Sequence, residues 1–159
     1  MGIVFRCKSC KEEEIVYFGV NYLFPLTYKQ LMEDAQKGHY GTRHMELLND
    51  ETYRAIDAER YLFHCPACGY WEQGPDMSIY EPDDPLYVEQ LGTEEDPRGP
   101  AYVTYSDLKE NYHLVFRQDH PCKKCGGGMT KEDGFGKIET LKCHACGDIM
   151  EDVGAIMVD

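Results

Sequence analysis

The sequence lacks the segments that would direct it to a membrane or out of the cell. No apolar run in the 159 residues approaches the length that spans a bilayer. Residues 1–6 contain neither a secretory apolar region nor the serine or threonine that N-myristoylation requires at position 6. There is no low-complexity tract. These absences predict a soluble, cytoplasmic protein, in which cysteine thiols stay reduced and free to bind metal.

No cysteine stands outside a Cys-x-x-Cys pair. The eight cysteines form the pairs Cys7/Cys10, Cys65/Cys68, Cys122/Cys125 and Cys143/Cys146. Two such pairs supply the four thiolates of one tetrahedral zinc site, so the pattern predicts two structural zinc ions per chain. Glycine follows three of the pairs, at Gly69, Gly126 and Gly147, and suits a turn with positive φ. Disulfides, redox dithiols and an iron–sulfur cluster are the alternatives.

Spacing predicts which pairs share a metal. Seventeen residues separate Cys125 from Cys143, an interval typical of the Cys-x2-Cys-x15–20-Cys-x2-Cys zinc pattern, and a glycine turn signal at 134–136 lies between them. The third and fourth pairs would then form a C-terminal ribbon. The first and second pairs would close the other site around a 54-residue insertion, which loop-closure entropy permits. An interleaved pairing, first with third and second with fourth, is the alternative.

Basic residues are few. The chain has 16 Lys and Arg against 29 Asp and Glu, a net charge of −13. Residues 73–119 hold 3 of these basic residues and 11 of the acidic ones. Such a chain is repelled by phosphate backbones unless one face is locally basic. The candidates for such a face are Lys123, Lys124, Lys131, Lys137 and Lys142. We favour the interpretation that these lysines are solvated on exposed strands.

Hydrophobic periodicity predicts an α+β fold made of small β-rich zinc-ribbon lobes, with a helical insertion in the first. The predicted helices run from a capping box at Thr27 to Gly38, and from Glu51 to Glu59 with Asn49 or Asp50 as N-cap. The predicted strands cover residues 3–6, 14–22, 61–64, 70–72, 101–105, 112–117, 128–131, 137–142 and 149–158.

Composition predicts three regions. Residues 1–80 form a four-cysteine zinc-binding lobe that contains the helical insertion. Residues 81–100 combine four prolines with seven carboxylates and are predicted to form an acidic linker or exposed loop. Residues 101–159 form a four-cysteine zinc-ribbon lobe, in which the apolar face of the 112–117 strand packs on the ribbon. We call each Cys-x-x-Cys pair with its turn a knuckle and number the four knuckles in chain order. His64, His120 and His144 lie beside or near knuckle cysteines, and we expect them to be exposed rather than to bind metal.

The N-terminal half resembles a known family. A knuckle near residue 7, a strand, a helical insertion and the run Phe63-His64-Cys65-Pro66-Ala67-Cys68-Gly69 are similar to the bacterial CpXC domain family over residues 1 to about 80. Residues 120–150 resemble a generic four-cysteine zinc ribbon. The resemblance implies zinc ligation and a small zinc-stabilised fold. It implies no particular chemistry.

The sequence predicts a non-enzymatic binding or regulatory module. Four thiolates close a zinc site, and neither a Gly-rich phosphate loop nor a paired catalytic motif is present. Residues 81–96 carry the acidic surplus that would engage a basic protein partner, for example a basic enzyme or toxin that the module neutralises. The oligomeric state cannot be read from the sequence.

Two other function classes stay open. A nucleic-acid-associated zinc-ribbon module would use Lys123, Lys124, Lys137 and Lys142 on phosphates. A zinc-dependent deaminase-like enzyme is the third choice, because His44-Met45-Glu46 and Pro121 to Cys125 match the His-x-Glu…Pro-Cys-x-x-Cys signature. That enzyme would leave Cys143 and Cys146 without a partner, which disfavours it.

Overall fold

The computed structural model describes residues 1–134, 136, 138 and 141–157. Within these residues the chain forms nine strands and four helices, and every strand pairing is antiparallel. The elements are β1 (Gly2–Cys7), β2 (Glu13–Tyr17), α1 (Phe24–Gln36), α2 (Thr42–Asn49), β3 (Ala55–Ile56), β4 (Arg60–His64), β5 (Trp71–Pro75), β6 (Ile79–Pro82), α3 (Pro85–Glu89), α4 (Tyr105–Asn111), β7 (Tyr112–Phe116), β8 (Thr130–Glu132) and β9 (Met150–Ile156). The α+β prediction is confirmed.

The chain divides into two compact units. We call the first the cysteine unit; it comprises Met1–Asn21, Arg60–Pro75 and Asp119–Asp159 and contains all eight cysteines. The second, which we call the acidic unit, comprises Tyr22–Glu59 and Asp76–Gln118. These units do not follow the predicted boundaries at residues 80 and 101. Segments distant in the chain pair as neighbouring strands, so each unit is assembled from separate pieces.

Two sheets of the same design build the cysteine unit. One has the strand order β2-β1-β9 and the other β5-β4-β8. In the first sheet Arg6, the residue before Cys7, lies opposite Glu13 and Glu151. In the second sheet His64, the residue before Cys65, lies opposite Trp71 and Thr130. Each of these partner residues follows the second cysteine of its own knuckle, and the corresponding partners do so at the same spacing in both sheets. The two sheets therefore have the same register.

The core of the cysteine unit packs around its single tryptophan. Trp71, Phe5, Val16, Leu62 and Leu141 are almost completely buried in one apolar cluster, together with Cys7 and Cys143. The cluster draws on β1, β2, β4 and β5 and on the chain before the fourth knuckle. Burial of these side chains is the main favourable contribution to folding besides any bound metal.

The acidic unit has its own apolar core, to which all four helices and the sheet β3-β6-β7 contribute. On α1, Tyr28 and Ala35 are buried in this core, and Leu31 and Met32 pack against it while partly exposed. The helix begins at Phe24 rather than at Thr27, because Pro25 occupies its first turn, where proline is favoured. It ends before Gly38, which has a φ of 93°.

The predicted helix from Glu51 to Glu59 is wrong. Its proposed N-caps serve the end of α2 instead, because the Asn49 amide donates to the Met45 carbonyl and the Asp50 carboxylate accepts from the Thr52 N–H. These local hydrogen bonds compete with continued helix. The chain then enters β3, where Ile56 is fully buried.

The predicted linker or exposed loop at residues 81–100 is wrong for β6 and α3, although residues 90–98 do form largely exposed turns. Asp84 caps α3 by accepting hydrogen bonds from the Leu86 and Tyr87 N–H groups, and Val88 is buried in the core of the acidic unit. Residues 101–104 are not a strand, and α4 begins at Tyr105 with a Thr104 and Asp107 capping box. Strand β7 pairs with β6 inside this unit and does not join a ribbon.

The remaining strand predictions have mixed outcomes. Strands β1, β4, β7 and β9 lie where they were expected, and β2, β5 and β8 overlap the predicted 14–22, 70–72 and 128–131 runs in part. The predicted 137–142 strand falls largely on residues outside the described ones, although Lys142 forms an isolated bridge with Ile149. In the described part of the chain, no helix combines the length and the apolar character needed to cross a bilayer.

Candidate metal centre

The first and fourth knuckles meet in one group of four cysteines, which we call the outer cluster. It consists of Cys7, Cys10, Cys143 and Cys146, whose Sγ atoms all lie within 4.8 Å of one another. The Cys7 and Cys146 sulfurs are 3.3 Å apart, and those of Cys10 and Cys143 are 3.7 Å apart. Ser9 also donates a hydrogen bond to Asp148 and so joins the two knuckles through a second contact.

The second and third knuckles meet in the inner cluster, which consists of Cys65, Cys68, Cys122 and Cys125. The Sγ distance is 3.5 Å both from Cys65 to Cys125 and from Cys68 to Cys122. In three of the four knuckles the first cysteine is buried and the second exposed, and in the second knuckle Cys65 is buried and Cys68 intermediate. Each cluster therefore has a buried side and a side towards solvent, and the buried cysteines of the outer cluster, Cys7 and Cys143, belong to the apolar core.

Both predicted pairings of the knuckles are wrong. The third and fourth knuckles do not share a cluster, despite their ribbon-like spacing, and the interleaved alternative does not occur either. Strand pairing explains the nested order that is found. Strand β9 follows the fourth knuckle and pairs with β1, while β8 follows the third knuckle and pairs with β4. The pairing of β9 with β1 brings the fourth knuckle to the first, and the pairing of β8 with β4 brings the third knuckle to the second.

The four knuckles share one backbone geometry. The N–H of the first cysteine donates across the turn, from Cys7 to Glu12, Cys65 to Tyr70, Cys122 to Gly127 and Cys143 to Asp148. The residue after each second cysteine has positive φ: 79° at Gly69, 77° at Gly126 and 81° at Gly147, as predicted. Lys11 adopts the same conformation in the first knuckle, with a φ of 66°. Nothing in the sequence predicts positive φ at Lys11, because lysine rarely adopts that conformation.

The arrangement fits a tetrahedral metal ion. A Zn–S bond of about 2.3 Å puts tetrahedral sulfurs about 3.8 Å apart, close to the distances of the two clusters and far from the roughly 2.05 Å of a disulfide. The eight cysteines are unbonded to each other. The backbone amide of Cys10 lowers the pKa of the Cys7 thiol to about 7, and the amide of Cys68 lowers that of Cys65 to about 7. The neighbouring cysteines of each cluster act in the opposite direction on the second ligand, against a hydrogen bond from a backbone amide, and the pKa rises to about 12 at Cys10 and about 11 at Cys125. Thiolates are the form that binds metal.

Trp71 and His144 tie the outer cluster to the sheet of the inner one. The Trp71 indole N–H donates to the Lys142 carbonyl at 2.8 Å, just before the fourth knuckle. The His144 ring stacks on the Trp71 ring at 4.2 Å, and its Nε2 lies 2.9 Å from the Trp71 carbonyl. The Lys142 N–H donates to the Gly69 carbonyl in the second knuckle. Sequence reasoning missed this connection, because it depends on pairing between residues far apart in the chain.

The histidines near the knuckles take positions outside both clusters. His64 lies 3.1 Å from Glu132 across the β4 and β8 pair, and His120 stacks on Phe63 at 4.0 Å. His144 is exposed, as expected, but it stacks on Trp71. In the described residues the candidate ligands are the eight cysteines alone.

The lysines of the proposed nucleic-acid face are largely engaged elsewhere. Lys123 forms an ion pair with Glu72 at 3.0 Å, and the Lys131 ammonium lies 4.5 Å from the centre of the Tyr61 ring. The stem of Lys142 lies over Gly69, where an added Cβ would come within 2.7 Å of it. Lys124 is exposed, and Lys137 lies outside the described residues.

The deaminase-like signature does not form a site. Cys122 and Cys125 are completed by Cys65 and Cys68, not by His44. His44 is buried in the acidic unit, where its Nε2 lies 2.7 Å from the Met77 carbonyl and its ring contacts Phe116 edge to face. Glu46 is exposed and pairs with Arg43. His44 is therefore a core residue with a satisfied ring nitrogen.

Comparison with models of known protein families, with curated proteins and with solved structures gave no match. The resemblance to the CpXC family and to a generic zinc ribbon therefore stays a prediction. What the geometry establishes is a pair of four-cysteine groups that could each hold a metal ion.

Proposed function

We propose that both clusters bind zinc and that this zinc is structural. Four thiolates fill the coordination shell of a tetrahedral ion and leave no open position for a substrate or a water. The zinc would join knuckles that the chain supplies from separate segments, and so hold the two sheets of the cysteine unit in place. Iron in the same four-thiolate environment is the alternative ion.

We further propose that the protein is a non-enzymatic binding module whose acidic unit engages a basic protein. The observation that carries this proposal is the uneven distribution of charge. The cysteine unit has 9 Lys and Arg against 12 Asp and Glu, a net charge of −3. The acidic unit has 7 against 17, a net charge of −10. A surface of one sign accelerates encounter with a partner of the opposite sign and disfavours partners of the same sign.

The segment around α3 is the part of the acidic unit that best suits a contact. Residues 83–96 contain six carboxylates and no lysine or arginine. Within this segment Leu86, Tyr87 and Leu91 are exposed, at 73%, 46% and 48%. Exposed apolar side chains among charges of one sign favour a protein partner, because an apolar anchor adds affinity while the charges guide association.

The structure distinguishes carboxylates that a test can change from those that hold the fold. Asp84 caps α3, Asp83 lies 2.8 Å from His113, and Asp96 pairs with Arg98 at 3.0 Å. Glu89 and Glu94 are exposed and form no ion pair or side-chain hydrogen bond with any described residue. Replacement of these two by glutamine removes charge without loss of a cap.

The test compares Glu89→Gln/Glu94→Gln with a matched control, Glu12→Gln/Glu151→Gln in the cysteine unit. Tagged wild type and both variants are used as bait at 50 and 200 mM salt, and the retained proteins are quantified by mass spectrometry. We expect the wild type to retain a basic protein, the acidic-unit variant to retain at least threefold less, and the control to match the wild type. Equal retention by all three baits would contradict the proposal.

A second experiment tests the competing hypothesis that the protein is a nucleic-acid-associated module. Binding of a random oligonucleotide is measured for the wild type and for Lys123→Gln/Lys124→Gln. We expect no measurable binding at 200 mM salt, because the net charge repels phosphates. Tight binding that the lysine variant abolishes would favour the nucleic-acid module and overturn the proposed partner class.

A further inference from the structure

The acidic unit contains a cavity of about 400 Å³ beside α1. Its apolar wall includes Tyr28, Met32, Leu48 and Tyr53. Tyr53 is held in place, because its hydroxyl donates to the Pro100 carbonyl at 2.9 Å and its ring lies against Gly99, where an added Cβ would come within 2.5 Å. A volume of this size is at the lower end of the range for binding sites in proteins, and the wall is preformed.

Most charged groups that line the cavity already have partners. Arg54 donates to Glu81 and Asp50, and Arg98 donates to both oxygens of Asp96. Lys29 and Glu95 form a pair at 3.7 Å between exposed side chains. The cations are therefore not available to bind an anion.

Glu33 is the exception. Its half-buried carboxylate lines the cavity, and no ion pair or side-chain hydrogen bond joins it to any residue that the structure describes. A carboxylate without a partner beside an apolar wall favours a cation that brings apolar surface with it, because the cation supplies the missing charge and its stem covers the wall.

We propose that this cavity is the anchor pocket for a lysine or arginine side chain of the basic protein partner. The stem of that side chain would lie along Met32, Leu48 and the Tyr53 ring, and its cation would pair with Glu33. Lysine and arginine carry such an apolar stem below their charge. The net charge of −10 on the unit favours this occupant over an acidic or neutral one. This inference rests on the proposed function, since it names the contact through which the partner is held.

The test uses three peptides of one design, acetyl-Gly-Gly-X-Gly-Gly-amide, with X as lysine, arginine or norleucine. Norleucine keeps the four-carbon stem of lysine and lacks the ammonium group. Binding to the full-length protein is followed by two-dimensional NMR of backbone amides in α1 and in residues 52–54 and 93–101. We expect the lysine and arginine peptides to shift these amides, with dissociation constants at least fivefold lower than that of the norleucine peptide.

Glu33→Gln should raise the dissociation constant of the lysine peptide to that of the norleucine peptide. Glu95→Gln is the matched control, because Glu95 lines the same cavity but already pairs with Lys29, and it should change the constant less than twofold. Equal binding of the lysine and norleucine peptides to the wild type would overturn the inference, and so would lysine binding that Glu33→Gln leaves unchanged.

Failure of this inference is distinguishable from failure of the proposed function. The bait experiment depends on Glu89 and Glu94, which do not line the cavity. If the baits retain a basic protein through those residues while the peptides ignore Glu33, the partner class stands and the anchor pocket is wrong. Glu33-dependent peptide binding shows that the cavity takes a cationic side chain, and a bait that then retains no basic protein refutes the proposed function and with it the assignment of that side chain to a partner protein.

Discussion

The outer and inner clusters have the same local design but join very different parts of the chain. In each, a hairpin carries one knuckle, a second knuckle follows from the C-terminal part, and the strand after it pairs with the first strand of the hairpin. The outer cluster brings together residues 7–10 and 143–146, and the inner one residues 65–68 and 122–125. A knuckle-bearing hairpin and the strand that joins it therefore form one structural module, which occurs twice. The different loop lengths show that chain spacing does not decide which knuckles meet.

Replacement of one cysteine ligand should have the largest effect on stability. It also tests whether the two clusters bind zinc independently of each other. We expect about two zinc ions per chain in the wild type and about one in either Cys7→Ser or Cys65→Ser, measured by elemental analysis. Zinc bound by four thiolates contributes roughly 10–16 kcal/mol, about as much as the whole stability of a typical domain. Each variant should therefore lose cooperative unfolding of the cysteine unit in urea.

Loop length should separate the two variants only slightly. The outer cluster closes residues 11–142 and the inner one residues 69–121, a difference worth about 0.8 kcal/mol of loop-closure entropy. Lys124→Ser, a change at an exposed position inside the third knuckle, is the control and should keep both ions. Complete loss of both ions in either cysteine variant would contradict separate loading.

Trp71 tests the link between the two sheets. It is 2% exposed and its indole reaches the chain just before the fourth knuckle. We expect Trp71→Ala to lower the free energy of unfolding by about 3–5 kcal/mol, from lost packing and a cavity. Trp71→Phe keeps most of the packing and should cost about 1–2 kcal/mol, largely because the Lys142 carbonyl loses its donor.

Urea unfolding at fixed zinc concentration measures both tryptophan variants. A chelator titration should also show the outer cluster releasing its metal before the inner one, because the lost contacts belong to the fourth knuckle. Tyr22→Ala is the control for loss of an aromatic ring at a 77% exposed position and should change stability by less than about 0.5 kcal/mol. Equal metal release from both clusters in Trp71→Ala would refute the proposed link.

Substitution of the knuckle glycines tests the shared turn geometry and should have a smaller effect on the free energy of unfolding. Gly126→Ala and Gly147→Ala should each cost about 1–2 kcal/mol, because positive φ is unfavourable once a Cβ is present, although nothing lies within 4 Å of that Cβ. Gly69→Ala should cost more, since its Cβ would also meet the Lys142 stem at 2.7 Å. Urea midpoints in excess zinc measure all three, and equal costs would show that the Lys142 contact is unimportant.

Local chemistry explains what the sequence predicted correctly. The Cys-x-x-Cys spacing and the following glycine specify a turn within six residues, so the eight cysteines and the conformations of Gly69, Gly126 and Gly147 were predictable. Strands such as β1 and β4 were predictable because their apolar residues directly precede a knuckle. Each of these features depends only on neighbours in the chain.

Nonlocal pairing explains what was missed. The nested order of the knuckles follows from β9 joining β1 across almost the whole chain, and no spacing rule within one segment contains that information. The acidic segment around α3 was predicted to be a linker because its prolines and carboxylates resemble one. The segment is attached to the acidic unit through one buried side chain, Val88, which packs in a core built by other segments. Glu33 likewise gives no signal in the sequence, because the absence of a partner for its carboxylate among the described residues is a property of the fold.

The smallest predicted effect concerns the one knuckle that departs from the glycine pattern. Lys11 has a φ of 66°, and its ammonium donates to the Lys8 carbonyl at 2.8 Å. Lys11→Gly removes about 1–2 kcal/mol of conformational strain but adds about 0.5–1 kcal/mol of chain entropy to the unfolded state and loses that exposed hydrogen bond. We therefore expect a gain of about 0.5 kcal/mol, measured by the urea midpoint in excess zinc. Lys124→Gly, at a position without positive φ, should instead lose stability, and a loss of similar size in both variants would show that the first knuckle differs in design from the other three.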